Sequence, residues 1–232
     1  VGQLADAQDI ADEDGIRRQR AARGKARRGR SHRRPPPHHL PQHGQTAEQR
    51  EGRRDPHQPV DPAPRGLVFY LHGNAGNVDG WTAGADFYKA LNYDLLMLDY
   101  RGYGKSSGTI ESEAQLHADA RVAYDFIAAK YEGKPIAIFG RSLGSGLAAK
   151  LSIDVRPAIT ILISPYRSIR ALATGLYPFV PGALVRYPLD TEARIAEVKS
   201  PLLLLHGEAD TLIPIANAKA LVIKNPRAKL VE

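Results

Sequence analysis

Cysteine is absent from all 232 residues, which excludes a disulfide framework and a thiolate metal site. Long apolar runs are absent as well, and none approaches the ~20 residues of a membrane-spanning helix. No signal-peptide core is visible, so a cytoplasmic location is expected, although the first residue, Val1, is not a start methionine. Aromatic residues are missing from one part of the chain. Residues 1–65 contain no Phe, Tyr or Trp, so the ten Tyr, five Phe and one Trp all lie in 66–232.

The same boundary separates the charges. Residues 1–65 carry 14 Lys and Arg against 9 Asp and Glu, whereas 66–232 carry 18 against 16. Most of the +7 formal charge therefore belongs to the N-terminal stretch. The remainder is near neutral, and no nucleic-acid binding is expected of the folded domain. Arg17 to Arg34 is densely basic, and Pro35-Pro36-Pro37-His38-His39 follows. With six Ile, Leu and Val and no Met before Gly66, too little apolar surface exists to offset the ordering entropy. Residues 1–64 are expected to be a disordered basic Pro/Arg/His-rich segment. Out-of-frame translation of a GC-rich gene yields this composition, and part of the segment is expected to be frameshifted. Other readings are a natural tail, or a basic arm for nucleic acid or acidic membranes. His32, His38, His39 and His43 offer imidazoles for weak metal binding.

From Arg65 the pattern changes. Apolar runs of strand length, Gly66–Leu71, Asp94–Asp99, Ile136–Phe139, Ala158–Ile163 and Pro201–His206, alternate with helix-like segments. The latter are Asp79–Asn92, Ser112–Tyr131, Ser142–Ile153 and Ile215–Lys224, and Lys229 to Glu232 begins a last strand. Continuously apolar strands are those covered by helices on both faces. The alternation predicts an α/β domain with a doubly wound, mostly parallel sheet over 65–232.

Four loops follow strand C-termini, where such sheets bind ligands. Gly140-Arg141-Ser142-Leu143-Gly144 joins a strand to a small-residue helix. A G-x-S-x-G turn in that setting lifts a serine hydroxyl above the sheet and points a helix N-terminus at developing charge. His72-Gly73-Asn74-Ala75-Gly76-Asn77 offers backbone N–H groups for an oxyanion hole. His206-Gly207-Glu208-Ala209-Asp210 sets a carboxylate at a strand end. Asp99 to Gly108 (DYRGYGKSSG) lacks the spacing of a phosphate loop, so nucleotide binding is discounted.

HGNAGN at 72–77, DYRGYGKSSG at 99–108, GRSLGSG at 140–146, SPY at 164–166 and HGEADTLIP at 206–214 together resemble the α/β-hydrolase superfamily. The likeness is to its serine-aminopeptidase-like branch of small esterases and thioesterases, the bud-emergence-type hydrolases, and it covers Arg65 to Glu232. It implies the α/β-hydrolase fold and a serine hydrolase cleaving ester, thioester or amide bonds through an acyl-enzyme. It implies Ser142 as nucleophile, Asp210 as triad acid, and the backbone N–H groups of Leu143 and Asn74 as the oxyanion hole. No metal or cofactor is implied, and the partner is a small-molecule or acyl substrate.

The sequence departs from the family in one catalytic group. The triad histidine belongs after the last strand, yet no histidine lies beyond His206. The domain is therefore expected to be truncated, incomplete at both ends and nearly inactive alone. His72 and His206 are expected to shape turns, and His117 to face solvent. Pro165 to Val198 occupies the cap position, and its aromatics suit an acyl groove or pack the cap down. Arg167, Arg170 and Arg186 are expected on a solvated face, the other reading being that they meet an acidic substrate. The alternative reading is a non-catalytic α/β-hydrolase-fold binding or scaffold module; a histidine encoded after residue 232 separates the two.

Overall fold

The computed structural model describes residues 63–74, 78–82, 84–179 and 181–232. The expectations for 1–64 fall outside these, apart from Ala63 and Pro64. Among the described residues six strands form one sheet: β1 (Gly66–Leu71), β2 (Tyr93–Leu98), β3 (Ile136–Arg141), β4 (Ile159–Ile163), β5 (Leu202–Leu205) and β6 (Lys229–Val231). Their order is β2-β1-β3-β4-β5-β6, and every pairing is parallel.

The apolar strand sequences explain the layering. Successive side chains of a strand point to opposite faces. Leu67, Phe69 and Leu71 of β1 join the core built on the helices α3 (Glu113–Ala128) and α4 (Leu143–Val155). Val68 and Tyr70 face the other way, with Leu95, Met97 and Phe139. That second face is covered by α1 (Val78–Trp81) and α2 (Ala85–Ala90), through Trp81, Ala85 and Tyr88. All six residues of β1 are buried, which is why its sequence does not alternate.

The long helix expected over 79–92 is two short ones. Gly84, at φ 147°, breaks it, and the Thr82 carbonyl accepts from the N–H groups of Gly84 at 2.8 Å and Ala85 at 2.9 Å. Ser112 caps α3, its hydroxyl accepting from the Gln115 N–H at 3.1 Å. Among the described residues no helix is long and apolar enough to cross a membrane.

The segment between β4 and β5 carries α5 (Ile169–Leu176), a 3-10 turn at Gly182–Leu184 and α6 (Thr191–Ile195); α7 (Ala216–Lys224) precedes β6. It is fastened to α3 through Glu113. Arg194 donates to Glu113 Oε1 at 2.8 Å, and the Leu189 N–H donates to Oε2 at 2.8 Å. His117 belongs to this joint, which corrects its expected solvent-facing position. Its side chain is 13 % exposed, 3.4 Å from Glu113 and 3.3 Å from the Arg194 guanidinium. A residue 77 positions away supplies the cover, which helix periodicity does not report.

Burial, then the Arg194 cation, holds the His117 imidazole below its usual value, against the pull of Glu113. The neutral ring is thus the folded form, and the unfolded chain takes up the proton first as the pH falls through about 6.5. Stability should drop below that pH because the unfolded state binds more protons. Urea midpoints at pH 7.5 and 5.5 should fall further for the parent than for His117→Gln. Equal falls would remove His117 from the acid response.

Candidate active site

Parallel register brings the strand C-termini to one edge. Leu71 pairs with Leu98 and Gly140, Arg141 with Ile163, and Ile163 with Leu205. The residues that follow, His72, Asp99, Ser142, Ser164 and His206, therefore line the same edge.

Ser142 stands at φ 48° and ψ −117° between β3 and α4. A non-glycine residue in this region is strained and persists only where packing enforces it. Two glycines provide that packing. A Cβ on Gly140 would lie 2.6 Å from both the Ala148 Cβ and the Gly144 carbonyl oxygen. A Cβ on Gly144 would lie 2.0 Å from the Leu71 carbonyl oxygen. Helix α4 thus presses against both β3 and the end of β1. The Ser142 N–H donates to the Ile163 carbonyl at 2.9 Å, and its side chain makes no capping bond to α4. Leu143 is the first residue of α4, where N–H groups lack intrahelical acceptors.

The turn after β1 lies beside Ser142. A Cβ on Gly73 would be 3.5 Å from the Ser142 Cβ. Asn74 is exposed, and its side-chain oxygen accepts from the Tyr103 hydroxyl at 2.5 Å. Residues 75–77 of the same motif lie outside the described residues. The 99–108 motif braces this turn. Asp99 Oδ1 accepts from the Val78 N–H at 2.9 Å, and the Tyr100 hydroxyl donates to the His72 carbonyl at 2.7 Å. Sequence reasoning assigned that motif no task. Its tyrosines and aspartate serve the neighbouring loop, a relation set by β1 and β2 being adjacent.

Asp210 is partly exposed after β5, with 22 % of its side chain open. Its Oδ1 accepts from the N–H groups of Leu212 at 3.0 Å and Ile213 at 2.9 Å. Burial pulls the carboxyl upward, but the Ile213 N–H, the Ser164 hydroxyl, the Leu212 N–H and His206 outweigh it and hold it below its usual value. Hydrogen bonds to the charged form favour ionisation. Ser164 is a residue that sequence reasoning missed. It follows β4 at φ 44°, the same left-handed signature as Ser142, within the SPY motif.

The histidines are committed locally. His72 is fully buried, donates from Nδ1 to the Gly73 carbonyl at 2.7 Å and sets Nε2 3.3 Å from Asp99. His206 donates from Nε2 to the Ile213 carbonyl at 2.6 Å and lies 3.7 Å from Asp210. His117 is held in the α3–α6 joint. The expected cap aromatics divide. Tyr166 is fully buried, its hydroxyl donating to the Leu143 carbonyl at 3.0 Å, so it braces α4 and lines no groove. Tyr177 and Phe179 are exposed. Among the described residues no group of three or more His, Cys, Asp or Glu could hold a metal ion.

Residues 62–187 match the hydrolase family described as serine aminopeptidase, S33. An uncharacterized protein of Mycobacterium tuberculosis, Rv2307c, is 36% identical over 172 residues, covering 72% of this chain and 59% of its own. The lysophosphatidylserine lipase ABHD12 of Danio rerio is 33% identical over 183 residues, covering 67% of this chain and 46% of its own. The chain thus spans about half the length of these relatives. Among solved structures, Est1E from Butyrivibrio proteoclasticus with ferulic acid bound superimposes with a TM-score of 0.63 at 19% identity, covering 74% and 80% of the two chains. Its sheet of parallel strands, its helix-covered faces and a family match over more than half its length make the chain a member of the serine aminopeptidase S33 family, within the α/β-hydrolase superfamily.

Proposed function

We propose that this chain is a serine hydrolase domain in which Ser142 attacks the carbonyl carbon of an ester, thioester or amide. The leaving group departs as the acyl-enzyme forms, and water then releases the acid. The observation that carries this reading is the strained Ser142 at the β3–α4 turn, its side chain making no capping bond to its own helix, beside Gly73. The backbone N–H groups of Leu143 and Asn74 would donate to the oxyanion, each worth about 10²–10³ in rate. Asp210, kept ionised by its hydrogen bonds, would orient a histidine and stabilise its cation. The domain boundary is placed at residue 65, where the patterned sequence begins. The name of the ABHD12 relatives extends the acyl-substrate reading toward lipid esters.

The general base is supplied by none of the three histidines in 66–232, because His72, His117 and His206 are engaged elsewhere. The test uses the protein expressed from its complete gene. A fluorophosphonate probe should label the Ser142 peptide, and Ser142→Ala should abolish labelling. A complete protein that folds but takes no label favours the second reading, a non-catalytic binding module. That reading draws on the same engagement of the histidines.

A further inference from the structure

Apolar side chains usually reach the surface singly. Between α5 and α6 they reach it together. Phe179 is 84% exposed, Leu184 72%, Tyr177 55% and Leu176 45%. The Tyr177 and Phe179 rings meet edge-on with centroids 6.4 Å apart. Helix α5, which leads into this tip, contains no buried residue.

The charges within the tip segment itself have one sign. From Pro165 to Tyr187 there are three arginines and no Asp, Glu or Lys. Arg167 is matched by Glu192 at 2.8 Å. Arg170 and Arg186 have no ion-pair partner among the described residues. The Arg170 stem packs where a Gly182 Cβ would be, at 3.1 Å, which sets it against the turn that bears Leu184. Arg186 lies over the Tyr187 ring at 5.3 Å and donates to the Glu111 carbonyl at 3.1 Å.

Aromatic and leucine side chains projecting beside arginines, in a segment that carries no carboxylate of its own, match the interfacial layer of an anionic bilayer. The rings and aliphatic chains enter the headgroup boundary while the guanidiniums meet phosphates. A second copy of the chain fits this surface poorly. Four side chains fall short of the ~1,200–2,000 Å² that stable pairs bury, and a two-fold axis would set arginines against arginines. We propose that this tip docks the protein onto membranes containing anionic lipid, with Phe179 and Leu184 inserted and Arg170 and Arg186 at the phosphates. The tip joins strands β4 and β5, whose C-termini share the edge that holds Ser142. Docking does not depend on the chemistry of Ser142.

The absence of cysteine makes the test direct. Leu184→Cys carrying an NBD fluorophore gives one reporter on the full chain. Vesicles containing about a third phosphatidylglycerol should shift its emission to the blue and raise it several-fold, and pure phosphatidylcholine should do so weakly. Phe179→Asp, or Arg170→Glu with Arg186→Glu, should weaken the response about tenfold or more, with unchanged circular dichroism. Vesicle sedimentation with a silent reporter would assign binding to the basic N-terminal segment and overturn the proposal. So would a lipid-free response that grows with protein concentration, or a lipid response that survives Phe179→Asp.

Discussion

Purified as 232 residues, the protein should turn over p-nitrophenyl butyrate only at a trace rate, on the order of 10⁶-fold below a serine hydrolase with a complete triad. A triad acts as a unit, so losing the histidine costs about as much as losing everything. Without a base, Ser142 is an ordinary alcohol. The three histidines of the domain have other occupations. His72 Nδ1–H is held by the Gly73 carbonyl at 2.7 Å. His206 Nε2–H is held by the Ile213 carbonyl at 2.6 Å. His117 sits against Glu113 and Arg194 on α3. Releasing either His72 or His206 would leave a buried carbonyl unpaired, at about 1–3 kcal/mol. The decisive measurement is steady-state hydrolysis by the parent and by Ser142→Ala. Equal traces are expected. Turnover at an ordinary enzymatic rate that disappears in Ser142→Ala would show that a base is present after all.

The legible and illegible parts of this domain divide by range in sequence. Strand runs such as Gly66–Leu71 and Asp94–Asp99 were readable because both faces of each strand are covered. The Ser142 turn was readable because its glycines are demanded locally, by contacts of Gly140 with residues four to eight positions on. The break of the expected helix over 79–92 was not, because Gly84 is tolerated inside helical patterns and only its φ of 147° marks the break. His117 misled because its cover comes from Arg194, on another element. The Tyr103 and Asp99 contacts with the 72–78 turn also span 21 to 29 residues. Ser164 stands in the SPY motif, but its bond to Asp210 requires β4 and β5 to be neighbours. The aromatic content of 165–198 was plain, whereas its division into a buried Tyr166 and an exposed Phe179 was not.

Among the described glycines, Gly144 is where an added methyl should do the most damage. The new Cβ would lie 2.0 Å from the Leu71 carbonyl oxygen, 2.5 Å from its carbon and 2.8 Å from the His72 oxygen. All three are backbone atoms, so no rotamer change relieves the contact. The strand that would have to retreat is β1, paired on both sides, with β2 and β3. Helix α4 is no freer to move, since Gly140 already lies where a Cβ would be 2.6 Å from Ala148. The expected loss is about 3 kcal/mol or more, beyond the usual cost of overpacking because both partners are fixed. For a domain of this size that lowers the melting temperature by roughly 6–12 °C. Gly207→Ala is the control. It stands in a comparable loop after β5, with nothing within 4 Å of its Cβ, and should change stability by no more than about 0.5 kcal/mol. Thermal melts of the three proteins decide it. A Gly144→Ala melt within 2 °C of the parent, by the same conversion, would mean that α4 can slide along the sheet. The strained turn at Ser142 would then relax with it, and the packing that holds the serine above the sheet would have to be sought elsewhere.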